Sequence, residues 1–111
     1  MNDQELIANL VTELRRGTLT LAVLHQLHTP QYGYSLLQSL QEKNIQIEAS
    51  TLYPLLRRLE SQGLLESQWD TLEPRPRKYY VLSPKGIEIK GILREEWMQI
   101  SNEMIMILKE E

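Results

Sequence analysis

Residues 50–63 read STLYPLLRRLESQG and predict a short helix with two unlike faces. At about 100° per residue, four leucines fall in one stripe and polar or cationic side chains lie opposite. Ser50 or Thr51 is expected to cap the start, and Gly63 is expected to supply the left-handed residue after the end. The leucines are Leu52, Leu55, Leu56 and Leu59, and the other face carries Ser50, Pro54, Arg57 and Ser61, with Arg58 beside it. We therefore predict a helix of about three turns over residues 50–62.

The flanking sequence predicts a larger motif around this helix. Residues 32–43 are expected to form a preceding helix with Leu36, Leu37 and Leu40 as its apolar stripe, and residues 44–48 connect the two helices. Residues 64–70 and 78–82 are strand-like, and the stretch between them, residues 71–76, is polar and broken by prolines. A helix-turn-helix followed by a hairpin is a winged helix, so the predicted fold is mainly α with a small β-hairpin.

The free face of the 50–62 helix suits the major groove of DNA. Serine, threonine and arginine can hydrogen-bond to bases or phosphates there, although a helix with such a face can also be merely solvated. Tyr53 is expected either to contact a phosphate or to pack beneath the wing, and one of Tyr79 and Tyr80 is expected in the core. The predicted DNA contacts are Ser50, Thr51, Tyr53, Pro54, Arg57, Arg58 and Ser61 on the helix, and Arg75, Arg77 and Lys78 on the wing.

Several separated motifs resemble the PadR family of bacterial transcriptional regulators. They are TLYPLLRRLE (residues 51–60), GLL (63–65), Trp69, RKYYVLSPKG (77–86), GY (33–34) and RGTL (16–19), and they agree with the family in order and spacing. The resemblance spans roughly residues 15–105. It implies a transcriptional repressor that binds double-stranded DNA. A two-fold dimer of such a protein would match a palindromic operator.

Charge is unevenly distributed along the chain. The net charge is −3, which by itself is unusual for a DNA-binding protein. Residues 75–90 nevertheless contain five basic residues against one acidic residue, whereas residues 91–111 contain two against five. A positive wing and a negative tail suit a protein whose wing contacts phosphates while its tail faces away from the DNA.

The two ends of the chain predict a dimer interface. Residues 1–28 are helical in pattern but contain Gly17, which leaves open whether they form one helix or two. Leu19, Val23 and Leu27 are expected to pack on the second and third helices, and the part before Gly17 is expected to cover the partner's tail. A final helix from Pro84 to about Lys109, with Ser83 as its cap, is too long for this domain to cover. The expected interface residues are Leu6, Leu10, Ile89, Leu93, Trp97, Ile100, Met104 and Ile107, the last six spaced as a coiled-coil seam.

The predicted organisation is therefore a winged helix-turn-helix domain over residues 1–82, including the N-terminal helical extension, and a C-terminal dimerisation helix over residues 83–111. In short-tailed PadR proteins, which this chain resembles, some members bind planar aromatic or drug-like molecules between subunits. Trp97 matches such an effector site by position, although a tryptophan in a dimer seam can also be ordinary packing.

Other classes of function find little support in the sequence. There is no cysteine, and His25 and His28 lack further ligands, so we expect no metal and no cofactor. No phosphate-binding glycine loop or nucleophile motif is present, so an enzyme is not expected. The polar N-terminus and the lack of a long apolar run predict a soluble cytoplasmic protein with no membrane partner. Two alternatives remain: a winged-helix module that binds proteins, and a small-molecule sensor with little DNA binding.

Overall fold

The computed structural model describes residues 2–72 and 74–110, so that Met1, Glu111 and Glu73 of the predicted wing loop lie outside the described residues. Four helices and a three-stranded antiparallel sheet make up the fold, with strand order β1-β3-β2. The expected fold class, mainly α with a small β-hairpin, is confirmed. The elements are α1 (Asp3–Gln26), β1 (Gln31–Tyr32), α2 (Gly33–Glu42), α3 (Ala49–Ser61), β2 (Leu65–Asp70), β3 (Arg77–Leu82) and α4 (Pro84–Leu108).

The N-terminal region is one continuous helix, α1. The Asn2 side chain caps it by accepting a hydrogen bond from the backbone N–H of Glu5 at 2.8 Å. Gly17 lies inside the helix, and a Cβ there would meet no atom within 4 Å, so a larger side chain would fit at this position. An interior glycine costs about 1 kcal/mol relative to alanine, but the following turns bury Val23 and Leu24 completely and thereby offset that cost.

The core is formed where α1, α2 and α3 meet above the sheet. The leucine stripe of α3 is buried as predicted, and Leu36 and Leu40 of α2 are fully buried while Leu37 is half-buried against them. Leu27 lies in the same cluster, and its carbonyl accepts a hydrogen bond from the backbone N–H of Leu82 at 2.9 Å. Apolar periodicity thus located the core of the helix-turn-helix correctly.

The start of α3 differs from the prediction. The helix begins at Ala49, and its N-cap residue is Glu48, whose side chain makes no capping hydrogen bond. Because the Glu48 carbonyl already accepts from the N–H groups of Thr51 and Leu52, both hydroxyl residues lie inside the first turn and neither caps it. The expected cap by Ser50 or Thr51 is therefore wrong. At the other end, Gly63 has φ of +81°, as its predicted left-handed role requires.

Strand β1 was not predicted. Tyr32 belongs to this strand rather than to α2, which begins at Gly33. Gln31 pairs with Tyr80 and Tyr32 with Tyr79, so β3 is the central strand and the hairpin is tied to the start of α2. On its other side β3 pairs with β2 from Leu65 opposite Leu82 to Asp70 opposite Arg77.

Helix α4 begins in close contact with the body of the fold. The Ser83 hydroxyl accepts from the N–H of Gly86 at 2.9 Å and donates to the Gly63 carbonyl at 2.7 Å, as befits the predicted cap. A Cβ on Gly86 would lie 2.1 Å from the carbonyl oxygen of Leu64, so only glycine permits this approach. The helix has 25 residues and is about 38 Å long at 1.5 Å per residue. No helix among the described residues is long and apolar enough to cross a membrane.

Candidate nucleic-acid interface

Helix α3 presents an exposed polar face opposite its buried leucines. Ser50, Thr51, Pro54, Arg57 and Arg58 are all exposed. Since Pro54 has no N–H, the Ser50 carbonyl four residues earlier lacks its usual helical donor. The face therefore offers an extra acceptor beside two hydroxyl groups and two guanidinium groups.

Ser61 is also exposed, but its hydroxyl is occupied within the helix. It donates to the carbonyl of Arg58 at 2.8 Å. That carbonyl also accepts from the backbone N–H of Gln62 at 3.0 Å, so the hydroxyl makes a second hydrogen bond to the same oxygen. Ser61 is therefore exposed at the C-terminal end of α3 with its hydroxyl proton directed at the helix backbone.

Tyr53 packs against the first residue of α2. A Cβ on Gly33 would lie 2.5 Å from Cε1 of the tyrosine ring, so the glycine is what lets the ring approach. The ring is half-buried and borders the main core. The ring of Tyr53 is thus packed, and the contact of its hydroxyl with a phosphate stays a prediction.

The wing is joined to α3 through its inner face. Lys78 Nζ lies 3.4 Å from Glu60 Oε1 and 5.4 Å from the centroid of the Tyr80 ring. The Ser67 hydroxyl donates to the other oxygen of the Glu60 carboxylate. Glu60 thus holds both strands of the hairpin against the recognition helix, and it offsets part of the positive charge expected from Lys78.

A second set of contacts orders the opposite face of the wing. The Tyr32 hydroxyl donates to Asp70 Oδ2 at 2.5 Å, its ring meets that of Tyr79 edge to face, and Arg77 lies 5.4 Å above the Tyr32 ring. The hydrogen bond from Tyr32, then that from the Leu72 N–H, and the nearby Arg77 charge lower the pKa of the Asp70 carboxyl. Tyr80 is 95% buried whereas Tyr79 is half-buried on the other side, in agreement with the predicted alternation.

The wing cations and Tyr53 meet at one cleft of about 690 Å³ between the hairpin and the start of α2. Arg75 stands exposed at its edge, close to Arg77 and Lys78. Sequence reasoning did not list the residues that complete this cleft: Tyr32, Gly33, Tyr34, Ser35, Trp69 and Tyr80. The GY pair at residues 33–34 and Trp69 were available as signals, because they belong to the motifs that carry the family resemblance.

The model of the PadR-like family of transcriptional regulators matches residues 20–91, about two thirds of the chain. This chain belongs to the PadR family. It is therefore a DNA-binding transcriptional regulator built on a winged helix, and not an enzyme.

Individual relatives agree with the family assignment. The crystal structure of a PadR family regulator from Eggerthella lenta is 44% identical and has a TM-score of 0.91, over 97% of this chain and 96% of that one. A PadR-like regulator from Bacillus cereus is 27% identical with a TM-score of 0.78, over 89% and 99%. A transcriptional regulator of Mycobacterium tuberculosis is 35% identical over 67% of this chain and 70% of its own length.

The tail of this PadR protein leaves the predicted seam only partly covered. Ile89 and Leu93 pack against the core of their own chain. Beyond them, the exposed fractions are 41% for Trp97, 54% for Ile100, 43% for Met104 and 56% for Ile107. On α1, Leu6 and Leu10 are likewise about half exposed. The apolar seam therefore continues past the point where the chain itself can cover it.

The two histidines lie close together at the end of α1. Their ring centroids are 5.9 Å apart, and His28 Nδ1 lies 2.9 Å from the His25 carbonyl oxygen. Burial, followed by the nearby positive charge of Lys90, lowers the pKa of His25. Within residues 2–72 and 74–110, no group of three or more histidine or carboxylate side chains is arranged to hold a metal ion.

Proposed function

We propose that this PadR protein is a dimeric repressor that reads a palindromic operator and is relieved by a small aromatic effector. The observation that carries the proposal is the division of α3 into a leucine face, which is buried, and a serine, threonine and arginine face, which is exposed. A helix held rigidly from behind, with hydrogen-bonding groups in front, is what major-groove recognition needs.

The free face of α3 would enter the major groove. Arg57 and Arg58 would donate to guanine edges or to phosphates, and the hydroxyl groups of Ser50 and Thr51 would contact bases or the backbone. Pro54 would pack against the groove, and Tyr53 and Ser61 would border the contact from its two sides. Each good bidentate contact to a base contributes about 1–3 kcal/mol of discrimination.

The wing would contact the DNA backbone with Arg75, Arg77 and Lys78. Arg75 is exposed at the edge of the wing cleft and is the best placed for a phosphate. Lys78, which Glu60 neutralises in part, would contribute less than its charge suggests. We therefore expect Arg75 to carry most of the salt dependence that the wing adds.

Dimerisation would depend on α4. Under this proposal residues 1–82 form the DNA-binding domain with its N-terminal extension, and residues 83–111 form the dimerisation helix. The exposed seam of Trp97, Ile100, Met104 and Ile107 would pack on its symmetry mate, with Leu6 and Leu10 of α1 covering the partner's tail. A two-fold dimer would present its α3 helices about 34 Å apart, one turn of DNA.

The effector would bind between the subunits beside Trp97. This side chain is 41% exposed in a single chain, and its symmetry mate would lie nearby across the two-fold axis. Two facing indole rings make flat walls for a planar molecule. The effector relieves repression only to the extent that it prefers the arrangement of α4 that separates the α3 helices from the DNA.

The test is binding of the purified protein to the DNA upstream of its own gene, at several salt concentrations, beside an unrelated duplex of equal length. We expect selective binding whose log affinity falls linearly with log salt concentration. Equal and feeble binding to both duplexes would show that this upstream DNA holds no operator and would turn the search to other DNA. Binding that is independent of salt would contradict the contacts proposed for the wing and α3.

A further inference from the structure

The wing hairpin is fixed at its base but lies outside the core farther up. At the base, Leu65 of β2 and Leu82 of β3 face each other and are both buried. The upper hairpin, which comprises residues 68–70 and 77–79, contains no buried residue. There Trp69 stands opposite Lys78, and β1, which has two residues, does not reach this pair. A ribbon of two strands twists readily, so side-chain contacts decide how the upper hairpin is oriented relative to α3.

Glu60, in the last turn of α3, contacts both strands of the wing above the base. One oxygen of its carboxylate lies 3.4 Å from Lys78 Nζ on β3, and the other accepts a hydrogen bond from the Ser67 hydroxyl on β2. Ser67 pairs with Tyr80, two residues from Lys78, so both donors project from the inner face of the hairpin. An ionised carboxylate accepts at both oxygens, which lets one side chain hold two strands. The wing is thereby tied to the recognition helix at a second point.

This contact adds little to the stability of the fold and works against affinity for DNA. The side chains of Glu60 and Lys78 are each about a third exposed, and ion pairs between exposed groups contribute little to folding. The carboxylate also offsets the charge of Lys78, which would otherwise attract phosphates more strongly. The main consequence of the contact is therefore geometric, because it defines the angle between the wing and α3.

We propose that Glu60 is a positioning residue for DNA recognition, which holds the wing at the angle that lets α3 and the wing contact one duplex together. The inference rests on the proposed contacts of α3 with the major groove and of the wing with the backbone. Specific binding needs both contacts at once, whereas non-specific binding needs only positive charge near phosphates. A wing that is already in place also loses less freedom on binding. Glu60 thus lowers the affinity for DNA in general and raises the specificity ratio, which is the affinity for the recognised duplex divided by that for an unrelated one.

The experiment measures the specificity ratio of the full-length protein and its variants by fluorescence anisotropy, with a duplex that the natural protein selects from a random pool and an unrelated duplex. In Glu60→Ala the ratio should fall about tenfold, because two hydrogen bonds to a charged group are lost. Its affinity for the unrelated duplex should rise, since the carboxylate no longer offsets Lys78. Ser67→Ala removes one of the two contacts without a change of charge, so the ratio should fall by about threefold. A variant that was merely destabilised would instead bind both duplexes more weakly by the same factor.

Two further variants separate geometry from charge. Glu60→Gln keeps the shape of the side chain and an oxygen that can accept a hydrogen bond, so it should retain most of the natural specificity ratio. Glu66→Ala removes the same charge from an exposed position of β2 and is the matched control, which should leave the ratio unchanged.

NMR of the protein without DNA tests the positioning directly. Residual dipolar couplings of backbone N–H groups report the orientation of the upper hairpin relative to α3, and they should change in Glu60→Ala but not in Glu66→Ala. The proposal is overturned if the couplings of Glu60→Ala match those of the natural protein, if its affinities for both duplexes fall together, or if Glu60→Gln loses as much specificity as Glu60→Ala. A natural ratio in Ser67→Ala would overturn the hold on both strands. If the natural protein selects no duplex at all, the proposed function fails, and the couplings still decide whether Glu60 positions the wing.

Discussion

The helix-turn-helix body and the second half of α4 contain similar amounts of apolar side chain but use them in opposite ways. In the body, the leucines of α2 and α3 interlock and most are completely buried. In the tail, Trp97, the isoleucines and methionines that follow it, and Leu108 are between 41% and 74% exposed. Both regions carry apolar side chains at helical spacing, and this spacing shows which face must be covered but not which molecule covers it.

The largest effect should come from placing a charge in the tail seam. Ile100→Asp puts a carboxylate into a seam of the proposed dimer that offers no basic side chain to pair with it. An unpaired buried charge costs about 3–5 kcal/mol. We expect dimerisation to weaken by more than about 100-fold, with loss of DNA binding and an unchanged helix content. Analytical ultracentrifugation beside circular dichroism measures both.

The matched control for the seam is Glu95→Asp, a conservative change at an exposed site of the same helix outside the seam. It should leave the dimer intact. A dimer that survives Ile100→Asp would show that the tail is covered in some other way, and the contrast between body and tail would need a different explanation.

The junction between the two regions should respond next most strongly. Gly86→Ala places a Cβ 2.1 Å from the Leu64 carbonyl oxygen, which is backbone and cannot turn aside. We expect a loss of about 2 kcal/mol in the free energy of unfolding. Gly91→Ala, five residues further along α4 and in open space, should instead gain up to about 1 kcal/mol from helix propensity. Urea unfolding of the two variants checks the pair, and similar values for both would contradict the close approach.

The exposed face of α3 should matter for DNA and not for folding. Arg57→Ala removes a proposed contact and is expected to weaken operator binding by about tenfold, or about 1.5 kcal/mol, without changing the dimer or the unfolding midpoint. Arg94→Ala is the matched control, since it removes an exposed arginine from the tail. Normal operator binding by Arg57→Ala in a fluorescence anisotropy titration would contradict the assignment of the recognition face.

Sequence alone predicted the elements whose side chains repeat with a clear period. The leucine stripe of α3, the Gly63 stop and the Ser83 cap were all visible, because each depends on residues close together in the chain. Strand β1 was missed because two residues carry no period, and Tyr32 is extended only through its pairing with Tyr79 of the distant β3. The cleft was missed for the same reason: Gly33, Tyr53 and Trp69 meet only after the sheet has formed.

The smallest expected effect concerns the wing at acid pH. Because the folded state lowers the pKa of Asp70, the ionised carboxylate contributes stability that is present above the usual value of 3.8 and is lost as pH falls through the lower folded value. The first cause of that shift is the hydrogen bond from Tyr32, so Tyr32→Phe should flatten the decline in stability below pH 4 and lower stability slightly at pH 7. Tyr79→Phe removes a hydroxyl that donates to the neutral side chain of Gln68, and its pH profile should match that of the natural protein. Urea midpoints between pH 2 and pH 7 distinguish the two. Asp70 lies in the wing and is remote from the tail seam. If the unfolding midpoints instead followed the dissociation of the dimer as pH falls, the loss of stability at acid pH would come from groups in the tail and not from Asp70.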